Sequence, residues 1–116
     1  MEINCIDLAV FVNLREMMGA DFMVELVDTY LQDSPEMLAQ MHQALDAQDA
    51  ESFRRAAHSL KSNSANFGAM QLSSLARELE MMGRENRLEQ AGETLVKAEK
   101  EYAQVEQALE ALKNGA

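Results

Sequence analysis

From Leu88 to Leu112 apolar residues recur at alternating three- and four-residue steps: Leu88, Ala91, Leu95, Ala98, Tyr102, Val105, Leu109 and Leu112. Only an α-helix gathers such positions onto one face. A stripe of this length needs cover along all of it, from neighbouring helices at a shallow angle or from a second copy in a coiled coil. The preceding residues favour the first solution. Leu72, Leu75, Leu79 and Met82 repeat the pattern, and no window alternates apolar with polar residues as a strand does. Helices are expected over roughly 6–18, 21–46, 49–67, 70–83 and 87–113. Gly19 with Asp21 is expected to close the first and cap the second, and Asp49 to cap the third. Gly68 and Gly83 suit left-handed helix ends, Gly92 weakens the start of the last helix, and Pro35 should kink or divide the second. One chain thus supplies enough amphipathic helices to bury the stripe internally. The expected fold is all-α, an antiparallel up-and-down four-helix bundle with a short additional N-terminal helix over one end, as one domain across residues 1–116.

Composition agrees and narrows the function. Hydrophobic residues make up 47% and charged residues 26%, enough for an ordinary core and too apolar for disorder. The one cysteine, Cys5, excludes an internal disulfide or a multi-cysteine metal site and is expected to be inert. The longest apolar run, Leu8 to Val12, is too short to span a bilayer and follows no basic stretch, so a cytoplasmic protein is expected. The net charge of −10 disfavours nucleic acid and anionic membrane surfaces as partners. Its distribution is uneven: residues 1–50 hold ten acids against Arg15, and residues 68–116 hold nine acids against six bases. Residues 51–67 invert the balance, with Glu51 against Arg54, Arg55 and Lys61.

In helical projection this basic segment buries Phe53, Ala56, Ala57, Leu60, Ser64 and Phe67 on one side, which turns His58 about 150° away, toward solvent. Arg54 and Ser62 lie four residues either side of His58 and Lys61 three beyond it, the spacings at which helical side chains meet. Arg55 flanks the ring, and Ala65 continues the stripe with a small side chain. An exposed histidine on a charged helix face is most often incidental. Neutral imidazole is also a nucleophile, and surrounding cations favour a dianionic group attached to it.

The run Ala57-His58-Ser59-Leu60-Lys61-Ser62, followed by Phe67-Gly68-Ala69, Leu72, Leu75 and Leu79-Glu80, resembles the histidine-containing phosphotransfer (HPt) domain family. The Met18-Gly19-Ala20-Asp21 junction and the Ser34-Pro35 continuation are similar to the family's upstream half. The resemblance implies that His58 accepts a phosphoryl group and that Lys61 neutralises it; Arg54, by its spacing from His58, is expected to help. It implies a turn at Gly68 and a polar residue near the histidine at Glu80. Ser62 stands where the family pattern has glycine, which allows close approach of a partner; its hydroxyl could also bond the histidine or the phosphate. The surface offered to partners is expected to include Arg55, Ser62, Ala65 and Glu80.

The same resemblance implies a stoichiometric carrier, not an enzyme, since no P-loop or kinase glycine-rich loop is present. It implies no cofactor of its own, with the aspartate and Mg²⁺ supplied by response-regulator receiver domains, and a hybrid sensor histidine kinase as a further partner. A monomer is expected. On the second helix, Phe22, Met23, Val24, Leu26, Val27, Tyr30 and Leu31 span about 200°, more than one buried face needs. Leu31 and Val24 are therefore candidates for an apolar docking edge beside the third helix, unless the first helix covers them. The nine methionines are expected to fill the core and His42 to lie on the surface. The competing reading is a non-catalytic bundle adaptor that binds partners through that edge. A metal-binding bundle is disfavoured: the positions three residues before the two histidines are Ala39 and Arg55, not glutamate.

Overall fold

A computed structural model describes residues 4–113 and contains five α-helices and one 3-10 turn. These are α1 (Leu8–Met18), α2 (Ala20–Ala47), α3 (Ala50–Asn66), α4 (Met70–Arg84), the 3-10 turn Leu88–Gln90, and α5 (Ala91–Lys113). Helices α2 to α5 run up and down and form the expected bundle, elongated to 41 × 24 × 17 Å. No helix among the described residues is long and apolar enough to cross a membrane.

The stripe on α5 forms one wall of the core: Ala91, Leu95, Ala98, Tyr102, Val105, Leu109 and Leu112 are buried, and Leu88 packs against them. Opposite stand Met23, Val27, Leu38 and Met41 of α2, Phe53, Ala57 and Leu60 of α3, and Leu72, Ala76 and Leu79 of α4. Full burial of each large side chain contributes about 1.5–3 kcal/mol, which keeps the bundle together against chain entropy. Helix α1 lies across α2 and the end of α3 and buries Phe11. The chain before it crosses the α3–α4 turn, where Asp7 N–H donates to the Gly68 carbonyl at 2.8 Å. Gly68 has φ +83°, and a Cβ there would sit 2.7 Å from the Asp7 carbonyl oxygen, so both conformation and space require glycine. Asp49 caps α3 as expected, accepting from the Ser52 N–H at 3.1 Å.

Several local expectations are corrected. Pro35 does not divide α2, which continues through it as one helix of 28 residues. Proline has no N–H for the carbonyl of Leu31, four residues earlier. The Tyr102 hydroxyl of α5 donates to that oxygen at 3.4 Å, while the Pro35 ring lies on the exposed side. Gly19, not Asp21, occupies the cap position of α2 and bonds it with no side chain. Gly83 lies within α4 at ordinary helical φ; the left-handed residue after this helix is Asn86, at φ 56°. Of the methionines, Met23 and Met41 are core residues, whereas Met17, Met18, Met70 and Met81 are exposed; Met1 lies outside the described residues.

Candidate functional site

The buried face of α3 is the one expected, and it turns His58 outward with its side chain 55% exposed. The ring is held from below. Glu80, one helix away on α4, is buried under it, and both of its carboxylate oxygens are engaged. His58 Nδ1 bonds Glu80 Oε2 at 2.7 Å, and Lys61 Nζ donates to Oε1 at 2.7 Å. Arg84, one turn along α4, brings its guanidinium to 3.6 Å from Oε2. Burial acts to raise the Glu80 pKa, but the bonds from Lys61 and His58 outweigh it and hold the carboxyl below its ordinary range. Glu80 is therefore ionised at neutral pH.

An ionised carboxylate only accepts hydrogen bonds. The His58 proton therefore sits on Nδ1, and a neutral ring turns the lone pair of Nε2 away from Glu80. No described residue bonds Nε2. The arrangement is a nucleophilic nitrogen on a rigid helix, its tautomer fixed from behind and two cations within reach of the same carboxylate.

The other expected site residues divide. Arg55 and Ser62 are exposed and Ala65 is half-buried on the same face of α3. The Ser62 hydroxyl bonds none of the described residues; Glu80 is what orients the ring. Arg54 does not point to the ring's surroundings as a free cation: its guanidinium grips Glu51 through two bonds. Arg55 shares Glu51 at 3.4 Å. Glu80, expected among the partner contacts, is instead buried, 4% exposed, and bonds His58 and Lys61 from beneath. Around Leu31 and Val24 the polar contacts of α2 run to α5. The Leu31 carbonyl is bonded by Tyr102 of α5, and Asp28, one turn after Val24, pairs with Lys113 of α5. The apolar edge that does border α3 is a groove of about 390 Å³ lined by Leu14 and Met18 of α1, Leu26 and Tyr30 of α2, and Asn63 and Phe67 around the end of α3. Arg84 escaped the sequence reading; its signal was the four-residue spacing from Glu80.

Elsewhere, His42 is on the surface, 3.0 Å from Glu99, and Cys5 is half-buried with its thiol pKa raised by burial. Below the site, the Tyr30 hydroxyl and Ser64 Oγ bond at 2.8 Å in the core, and burial pushes the Tyr30 pKa up to about 12. Both groups thus remain neutral and structural.

Comparison with known proteins agrees with this fold. No curated protein matches the chain. Among solved structures, the chain is similar to histidine-containing phosphotransfer protein B (HptB) from Pseudomonas aeruginosa PAO1, at 34% identity, a TM-score of 0.92 and 99% coverage of each chain. The fold is shared with the HPT domain of a sensor hybrid histidine kinase from Shewanella, at 16% identity and a TM-score of 0.81, over 99% of this chain and 98% of that one. The family profile described as Hpt domain matches residues 25–115. The chain belongs to the Hpt domain family.

Proposed function

We propose that this protein is a histidine phosphocarrier: Nε2 of His58 takes a phosphoryl group from a receiver-domain aspartate and passes it to another. Nε2 attacks phosphorus, the bond to the aspartyl oxygen breaks, and the free carboxylate departs with its receiver. The ring, now bonded through Nε2 and still protonated at Nδ1, carries positive charge that Glu80 offsets. In the reverse step the proton on Nδ1 lets imidazole leave as a neutral group. Such transfer depends on in-line positioning and charge neutralisation more than on covalent help, and Lys61 and Arg84 supply the cations. The receiver brings the acidic pocket and Mg²⁺; this chain contributes the nucleophile and its orientation, without turnover of its own. The cationic surroundings of His58, on a chain otherwise strongly acidic, favour docking of an acidic pocket at this face. A hybrid sensor kinase fits the same scheme as the origin of the phosphate, and the chain acts as a cytoplasmic monomer.

The observation that carries this reading is the 2.7 Å bond from Nδ1 to a buried carboxylate on a ring whose other nitrogen bonds none of the described residues. The test is incubation with a phosphorylated receiver, followed by assay for an acid-labile, alkali-stable label. Wild type acquires the label, and a folded His58→Gln variant does not. Equal labelling of both removes the site from His58; binding of the receiver with no label on either supports the adaptor reading.

A further inference from the structure

The structure assigns Gly83 as a positioning residue for His58: by letting α4 approach α3 closely, it sets the reach of Glu80 to the ring. This rests on the phosphocarrier reading only for its kinetic consequence; the geometric claim stands apart from it. Glycine inside a helix lowers stability relative to alanine, so its presence there needs a reason. Gly83 is buried within α4 and has no positive φ, so backbone freedom is not that reason. Space is. A Cβ at position 83 would lie 3.0 Å from the N, Cα and Cβ of Arg54, which are backbone-anchored atoms that cannot swing aside.

The contact lies beside the functional bonds. Glu80 is one turn before Gly83 on α4, and His58 is one turn after Arg54 on the antiparallel α3. Farther along the same interface, the Ser73 hydroxyl of α4 donates to the Lys61 carbonyl of α3 at 3.0 Å. Glu80 therefore sits between two points of close approach, and both of its oxygens are already at 2.7 Å from their donors. Moving α4 outward at position 83 by a few tenths of an ångström lengthens the bond to Nδ1 first, because the imidazole is tied to α3 by a single methylene while Lys61 can follow the carboxylate on its flexible four-carbon stem. The proton then redistributes between the ring nitrogens, and Nε2 presents its lone pair for less of the time.

The test compares Gly83→Ala with Gly92→Ala, a helical glycine whose added methyl meets nothing within 4 Å. The ring ¹⁵N shifts of His58, read at a pH where the ring is neutral, report the tautomer without any phosphate donor. Transfer from a phosphorylated receiver reports the rate. Gly83→Ala is expected to lose the Nδ1–H preference and to slow labelling by about ten- to a hundredfold. Gly92→Ala is expected to match wild type in both. Helix propensity alone predicts that Gly83→Ala is harmless, so wild-type ¹⁵N shifts in a folded Gly83→Ala protein overturn the assignment. If the single variant melts too readily, the same shifts are read in a Gly92→Ala background, where α5 gains helix propensity away from the contact. Failure of wild type to take label removes the phosphocarrier reading, and the ¹⁵N comparison still decides the role of Gly83.

Discussion

Replacing Glu80 by Gln tests the centre of the site, because protonated glutamate and glutamine have nearly the same shape. At neutral pH the wild-type carboxylate accepts two charge-assisted bonds, each at 2.7 Å. Buried bonds to charged groups contribute about 1.5–3 kcal/mol apiece. Both donors keep contact with water, the Lys61 side chain at 29% and that of His58 at 55% exposure, so screening reduces the sum. The amide also retains one acceptor. A net loss of about 1–2 kcal/mol is expected for Glu80→Gln at neutral pH, or roughly 4–8 °C in Tm for a domain of this size. The pH dependence has a definite sign. The carboxyl of Glu80 is held below its ordinary value of 4.5, so its contribution is complete above that value and is lost as pH falls through the lower folded value. Urea unfolding followed by circular dichroism, across a pH series, should show the variant and wild-type curves converging under acid. A gap that stays constant from neutral to acid pH, or no gap at neutrality, would refute the claim that an ionised Glu80 holds this site.

Two further perturbations probe the neighbours. Lys61→Ala should slow phosphotransfer while the bundle stays folded in far-UV circular dichroism, at a stability cost of about 1 kcal/mol because Glu80 loses one of its donors; an unchanged transfer rate would remove Lys61 from charge neutralisation. Tyr102→Phe should cost about 0.5–1.5 kcal/mol in urea unfolding by stripping the Leu31 carbonyl of its donor. That cost should shrink in a Pro35→Ala background, where residue 35 has an N–H to offer the same oxygen, and additive effects in this double-mutant cycle would refute the pairing.

The architecture was readable because helical periodicity is local. Phe53, Ala57 and Leu60 define the buried side of α3 within two turns, and exposure of His58 follows from it without knowledge of any other helix. The turn at Gly68 was readable for the same reason. Gly83 was misread because a glycine near the end of an apolar pattern looks the same whether it terminates the helix or admits a neighbour, and the neighbour here is 29 positions away in the chain at Arg54. Of the two outcomes expected at Pro35, a kink or a division, the division does not occur; continuity of α2 was not readable locally because the hydroxyl that serves the orphaned carbonyl belongs to Tyr102. An apolar arc such as the one holding Leu31 and Val24 shows how much of α2 is covered and not by which helix.

The same limit explains the cations. Counted by segment, residues 51–67 are basic, and Arg54 stands one turn from His58 in projection. Yet Glu51 lies three and four residues before Arg54 and Arg55, spacings at which helical ion pairs form, and it engages both. What remains near the ring is Lys61 from α3 and Arg84 from a segment whose net charge is negative, joined only because both converge on Glu80. A carboxylate is thus what concentrates positive charge beside His58: it holds two cations and a ring proton at one point and leaves Nε2 facing away from it. On the proposed phosphocarrier reading, this acidic residue, easily taken for a liability next to an incoming phosphate, is the one that organises the site for it.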